Sequence, residues 1–170
     1  MICPSCGHDN VPGSDTCARC LTDLAPLDRP EGQDRVERSL MRDAVLVLKP
    51  PAPVTLPLGA TLGEAAAVLT EADIGAVLVV DADGRLRGIL TERDFLTEVA
   101  LIPDYTGLPV SQFMTPDPET VAPTDTLAFA LRKMDVGGYR HLPVVSEGMP
   151  VGMISVRDVI RHITRLCRHR

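Results

Sequence analysis

"PVTLPLGATLGEAAAVLTEADIGAVLVVDADGRLRGILTERDFL", residues 53–96, returns as "PETVAPTDTLAFALRKMDVGGYRHLPVVSEGMPVGMISVRDVI", residues 118–160. The copies run in register at an offset of 65, which becomes 64 after the central turn, and each closes on Gly, two apolar residues, Thr or Ser, two further residues and Asp. Two copies are too few for a solenoid. One copy alone is too short to bury its apolar faces, so the two are expected to pack on each other.

Within a copy the elements read in order. "PVTLPL" and "PETVAP" are short strands. Leu62, Ala65, Ala66 and Leu69 have helical i, i+3, i+4, i+7 spacing, as do Leu127, Ala130, Leu131 and Met134, and Thr61 with Glu64 supplies a capping box. "GAVLVVDADGRLRGIL" is two β-rich runs joined across Asp83-Gly84, a hairpin signal, and "YRHLPVVSEGMPVGMI" is its counterpart. A helix then starts at Thr91 or Ser155. The order strand, helix, strand, strand, helix makes the fold class α/β.

Upstream, four of the five cysteines form two C-x-x-C pairs, Cys3–Cys6 and Cys17–Cys20, ten residues apart. Each pair turns two thiolates toward one point, and a hairpin between them assembles a tetrahedral four-sulfur site for structural Zn2+. The segment is too poor in apolar residues to form a core, so metal binding would supply most of its folding free energy. Redox C-x-x-C chemistry belongs beside a βαβ pattern, which is missing here, and stable disulfides are unusual in a cytoplasmic chain. His8 lies between the pairs and reads as a bystander. "APLDRPEGQD" reads as a linker. "DRVERSLMRDAVLVL" gives a short amphipathic helix and an apolar run, whose exit "KPPAP" is expected to be extended.

Composition narrows the function classes. Among 170 residues there is no Trp, so the core must be aliphatic. No apolar run reaches the roughly 20 residues of a membrane helix, and "MICPSCGHDN" is unlike a secretion signal. A soluble, cytoplasmic protein is expected, with no membrane partner. Residues 61–158 carry seven basic against fifteen acidic side chains, whereas residues 159–170 carry four Arg. The acidic body speaks against general nucleic-acid binding, and the Arg-rich end complements the dipole of its own helix.

Residues 1–24 resemble a zinc ribbon through "CPSCG", Asn10, Gly13, "CARC" and Leu24. The two long repeats resemble cystathionine β-synthase (CBS) domains through the strand "VTL" or "TVAP", the "TL" helix start, "LVV" or "LPVV", and the closing Gly-to-Asp motif. The expected organisation is a ribbon at 1–24, linker and short helix at 25–39, a first CBS domain at 40–100, a linker at 101–109 and a second CBS domain at 110–170 with its basic helix end. The resemblance implies two copies packed through their sheets about a pseudo-twofold axis, two clefts between them, adenosine-containing ligands (AMP, ADP, ATP or S-adenosylmethionine) and a homodimer.

The same resemblance assigns ribose to Asp94 and Asp158, and phosphate or ribose to Thr91 and Ser155. Each Asp is expected at the third position of its helix, near free N–H groups that favour negative charge. Arg140 and His141 stand where the first copy has Gly75 and Ala76, so the second cleft is expected to be the one equipped for an anion: Arg140 as a permanent cation, His141 as a donor or a pH-sensitive charge. Arg93 and Arg157 are expected to face solvent. The walls for adenine fall to Thr120, Val121 and Pro143 in the second cleft and to Thr55 and Leu56 in the first. None of His8, His141, His162 and His169 lies near a plausible nucleophile, Cys167 in its Arg-rich helix end reads as packing or incidental, and P-loop and paired-carboxylate signatures are missing, so a non-enzymatic regulatory module is expected that signals ligand state to an unknown protein partner. A ligand-free dimeric scaffold with a docking ribbon is the second reading, and a nucleic-acid-binding regulator the third.

Overall fold

The computed structural model describes residues 1–11, 13–24 and 34–168. It divides into two units, Met1–Asp34 and Arg35–Arg170. The proposed linker sequence at 25–34 lies, except for Asp34, outside the described residues.

The first unit is built from one turn used twice. The Cys3 N–H donates to the His8 carbonyl and the Gly7 N–H to the Cys3 carbonyl, both at 2.9 Å. Cys17 to Thr22 and Leu21 to Cys17 repeat those bonds at the same length. Gly7 and Leu21 hold the same left-handed position, at φ 69° and 60°. Isolated antiparallel bridges, Ile2 with Asp9 and Thr16 with Asp23, flank the two turns. Among the described residues of this unit the buried apolar ones are only Cys3, Cys17 and Leu24, too few to hold the fold by burial alone.

The second unit opens with helix α1 (Arg35–Arg42). The first repeat then contributes β1 (Thr55–Pro57), α2 (Leu62–Glu71), β2 (Ala76–Val80), β3 (Leu86–Thr91) and the single helical turn α3 (Glu92–Asp94), which continues as a π-helical turn over Phe95–Val99. With β4 (Thr115–Pro116) its strands form a sheet in the order β1-β2-β3-β4, in which only β1 and β2 are parallel. The second repeat contributes α4 (Leu127–Gly137), the antiparallel pair β5 (His141–Ser146) and β6 (Met149–Ser155), and α5 (Val156–Arg168).

"PETVAP" forms a single parallel bridge, Val121 with Val144, where a strand was expected. The ladder stops there because the Ala122 N–H is taken at 2.7 Å by the Asp125 carboxylate and Pro123 has no N–H to give. "KPPAP" also departs from expectation at its start: Lys49 is left-handed, at φ 53°, and closes the 3-10 turn Val45–Leu48.

Helical spacing carries through to packing. Leu62, Ala65 and Leu69 of α2 are buried against Val77, Val79 and Leu90, and Leu127, Ala130 and Met134 of α4 are buried in the second repeat, the last two against Leu142, Val144 and Ile154. The capping box is present: the Thr61 hydroxyl accepts from the Glu64 N–H at 3.2 Å, and Glu64 accepts from the Thr61 N–H at 2.7 Å. β2 is buried on both faces. Val77 and Val79 face the first core, and their alternates Ala76 and Leu78 join Ile89, Leu86 and Met153 in a layer between the repeats.

Each repeat is completed by the lead-in of the other. Val45 is buried in the second core, and its N–H donates to the Asp125 carbonyl at 2.7 Å. Val110, Phe113 and Tyr105 belong to the first core, and Leu62 donates to the Leu108 carbonyl at 2.8 Å. The stretch 101–109, expected as a linker, therefore packs as part of the first repeat. These crossings explain the glycines that open the closing motifs. A Cβ on Gly88 would strike the Met114 side chain, and one on Gly152 would lie 2.9 Å from Pro50 Cβ.

Candidate functional site

The closing motifs build two equivalent corners. At the first, Asp94 is the third residue of α3, and its Oδ2 accepts from the Thr91 N–H at 2.7 Å and the Thr91 hydroxyl at 2.8 Å. At the second, Asp158 Oδ2 accepts from the Ser155 N–H at 2.9 Å and the Ser155 hydroxyl at 2.6 Å. Both corners are thus capping boxes. They differ at the other carboxylate oxygen: Asp158 Oδ1 accepts from Arg161 at 3.2 Å, whereas Asp94 Oδ1 has no partner among the described residues.

A cavity of about 500 Å³ opens on the first corner. Thr91, Glu92, Arg93 and Asp94 form one wall. Tyr139, Arg140 and His141 line the cavity as well, together with Thr115–Glu119 of the lead-in of the second repeat. The volume falls in the range of small-molecule sites. Arg140 and His141, expected to serve the motif of their own repeat, line the cavity that holds the motif of the other one. The backbone explains the exchange. His141 pairs with Ser155 across β5 and β6 and the Val156 N–H donates to the Arg140 carbonyl at 3.1 Å, so the main chain of this pair is committed to the second corner while both residues line the cavity at the first.

Gly75 makes room for the exchange. A Cβ there would lie 3.0 Å from His141 Cε1, so the small residue of one repeat accepts the large residue of the other. Burial pushes the His141 imidazole below its ordinary pKa of 6.5. The Glu92 and Asp158 carboxylates pull it up, and Arg140 and Arg157 push it down. The balance favours the neutral imidazole, the donor of the two roles expected for His141. Arg140 and Arg93 are the cations of the cavity, and neither has an ion pair among the described residues. Four carboxylates share it: Glu92, Asp94, Asp117 and Glu119, the last paired with Lys133 at 2.6 Å.

The residues expected to wall adenine lie elsewhere. Val121 is in the second core. Thr120 accepts from Lys133 through its carbonyl at 2.9 Å, and Pro143 is buried within β5. Thr55 is exposed on β1, and Leu56 lines a separate shallow groove with Glu64 and Val68. Tyr139 offers an aromatic wall instead, and it is 40% exposed. Its signal in the sequence was an aromatic just before a strand in a chain with five aromatic residues in all.

The four cysteine sulfurs of the ribbon lie within 4.8 Å of one another, and His8 is not among them. Burial raises the Cys17 thiol, but N–H groups of Cys20 and Arg19 and the Asn10 amide outweigh it and bring Cys17 down to about 6. The Thr22 hydroxyl and N–H lower Cys20 as well. At Cys6 the His8 N–H lowers the pKa, yet the Cys20 thiol, burial and the remaining thiols prevail and push it up to about 12. Four crowded thiols cannot all ionise without a cation, and N–H donors aimed at sulfur fit a thiolate-ligated metal.

Comparison with known proteins follows the repeat. The family model described as the CBS domain matches residues 38–101 and again 110–165. An uncharacterised 17.7 kDa protein of Acidianus ambivalens is 37% identical over 102 residues, which cover 59% of this chain and 61% of that one. The chain spans less than two thirds of the length of the curated relatives it matches first. Among solved structures, a CBS-domain containing protein from Agrobacterium tumefaciens is 36% identical with a TM-score of 0.65, covering 70% of this chain and 98% of that one. A CBS domain protein from Pyrobaculum aerophilum, complexed with AMP, is 30% identical with a TM-score of 0.64, covering 72% and 98%.

Proposed function

Since the chain belongs to the CBS-domain family, as a tandem pair preceded by a four-cysteine ribbon, we propose that it is a non-catalytic regulatory module that binds an adenosine-containing ligand and signals occupancy to a protein partner. The observation that carries the reading is the cavity of about 500 Å³ lined by both Arg140 and Asp94, whose Oδ1 has no partner among the described residues. The carboxylate suits the two vicinal hydroxyls of a ribose, Arg140 suits a phosphate through paired N–H groups, and Tyr139 offers a face for the base. The AMP held by the Pyrobaculum relative supports the same class of ligand.

Cys3, Cys6, Cys17 and Cys20 would hold Zn2+, which would supply the cross-link that this unit's small core lacks. No helix among the described residues is long and apolar enough to cross a membrane, which agrees with a cytoplasmic location. A homodimer is part of the proposal, checked by light scattering. Calorimetric titration of the full chain with AMP, ATP and S-adenosylmethionine tests the central reading. Saturable binding of at least one is expected, and silence with all three would leave the scaffold reading in its place.

A further inference from the structure

Resting on that reading, we infer that the two repeated motifs have divided their work: the chain binds one nucleotide per polypeptide, at Thr91–Asp94, while Ser155–Asp158 serves as a structural cap. Three independent observations converge on this.

The first is the state of the carboxylates. Asp158 is satisfied at both oxygens, by Ser155 and by Arg161. Arg161 corresponds in the repeat to Thr97, whose hydroxyl donates back to the Arg93 carbonyl at 2.9 Å, so nothing competes for Asp94 Oδ1. The Asp158–Arg161 pair is solvent-exposed and weak. It biases the corner without sealing it.

The second observation decides more. The aromatic ring and the Arg-His pair lie on one side only. Tyr139, Arg140 and His141 line the cavity at Asp94. By the repeat offset their counterparts are Ile74, Gly75 and Ala76, which carry neither charge nor aromatic ring. The lead-ins differ likewise: Asp117, Pro118 and Glu119 at the cavity correspond to Ala52, Pro53 and Val54. A phosphate at the second corner would find only Arg157 in a place equivalent to a cavity cation.

The third is that this asymmetry is built into the packing. His141 occupies the space that Gly75 leaves. A large pair on both sides would collide near the axis, so equipping one cleft disarms the other.

Titration of the full chain with AMP tests the inference. One molecule per chain is expected, with Asp94→Ala weakening binding at least about tenfold and Asp158→Ala binding as the wild type does. Asp94→Asn, which keeps an acceptor oxygen for the Thr91 cap, separates loss of binding from loss of folding: it should melt like the wild type and still bind weakly. Two molecules per chain, or a loss confined to Asp158→Ala, would overturn the single-site inference and leave the proposed function standing. Silence of the wild type with AMP, ATP and S-adenosylmethionine alike would overturn both.

Discussion

At His141 burial and charge pull in opposite directions, and burial prevails. A histidine whose folded pKa lies below that of the unfolded chain contributes its full stability above pH 6.5. That stability is lost as pH falls below 6.5, because the unfolded chain then binds the extra proton. The melting temperature of the pair should therefore drop between pH 7.5 and 5, and more steeply for the wild type than for His141→Gln, measured by calorimetry across that range. Arg140, one residue earlier, is the cation proposed to hold the phosphate. Arg140→Ala should cost AMP roughly ten- to a hundredfold in affinity while leaving adenosine, which lacks the phosphate, nearly unchanged. With four carboxylates facing two arginines, AMP should also bind more tightly than ATP when no divalent cation is present. That this pair sets the second copy apart from the first was readable in the sequence, and both residues line the cavity. Their destination was not, because alignment sets a residue beside its own motif, and only packing about the axis carries it to the other.

Element order was the most legible feature. Helical spacing marked α2 and α4, alternation and turn residues marked the hairpins, and each closing motif began a capped helix, as expected. Local chemistry misled at "PETVAP", where a side-chain cap and a proline end the ladder after one bridge, and the adenine-wall residues fall outside the cavity lining. α1 shows a contact no local rule signals: the Ser39 hydroxyl lies 2.8 Å from His162 Nε2 of α5, both side chains buried. Ser39→Ala leaves that imidazole without its partner, and a loss of about 1–3 kcal/mol is expected in urea unfolding of the pair. Gly75→Val probes the seam between the sheets. The added bulk meets the His141 ring, so a destabilisation of about 1–3 kcal/mol is expected, relieved in part by His141→Ala in a double-mutant cycle.

For the whole molecule, the two units draw stability from different sources. The pair buries an aliphatic core in each repeat and a layer between them, while the buried cluster of the ribbon, among the described residues, is Leu24 with Cys3 and Cys17 themselves. A strong chelator should therefore release one Zn2+ per chain and unfold residues 1–24 by circular dichroism and proteolysis, with the melting transition of residues 35–168 unshifted; a shift there would show that the units depend on each other. Within the pair, Val45 sits in the second core and Val110 in the first, so the sequence repeat and the physical half are not the same object. A polypeptide cut near Pro103 would yield two pieces, each missing part of its own interior and carrying part of its neighbour's. Neither should fold alone, yet mixed together they should reassemble without a covalent link, as the halves of a split reporter do.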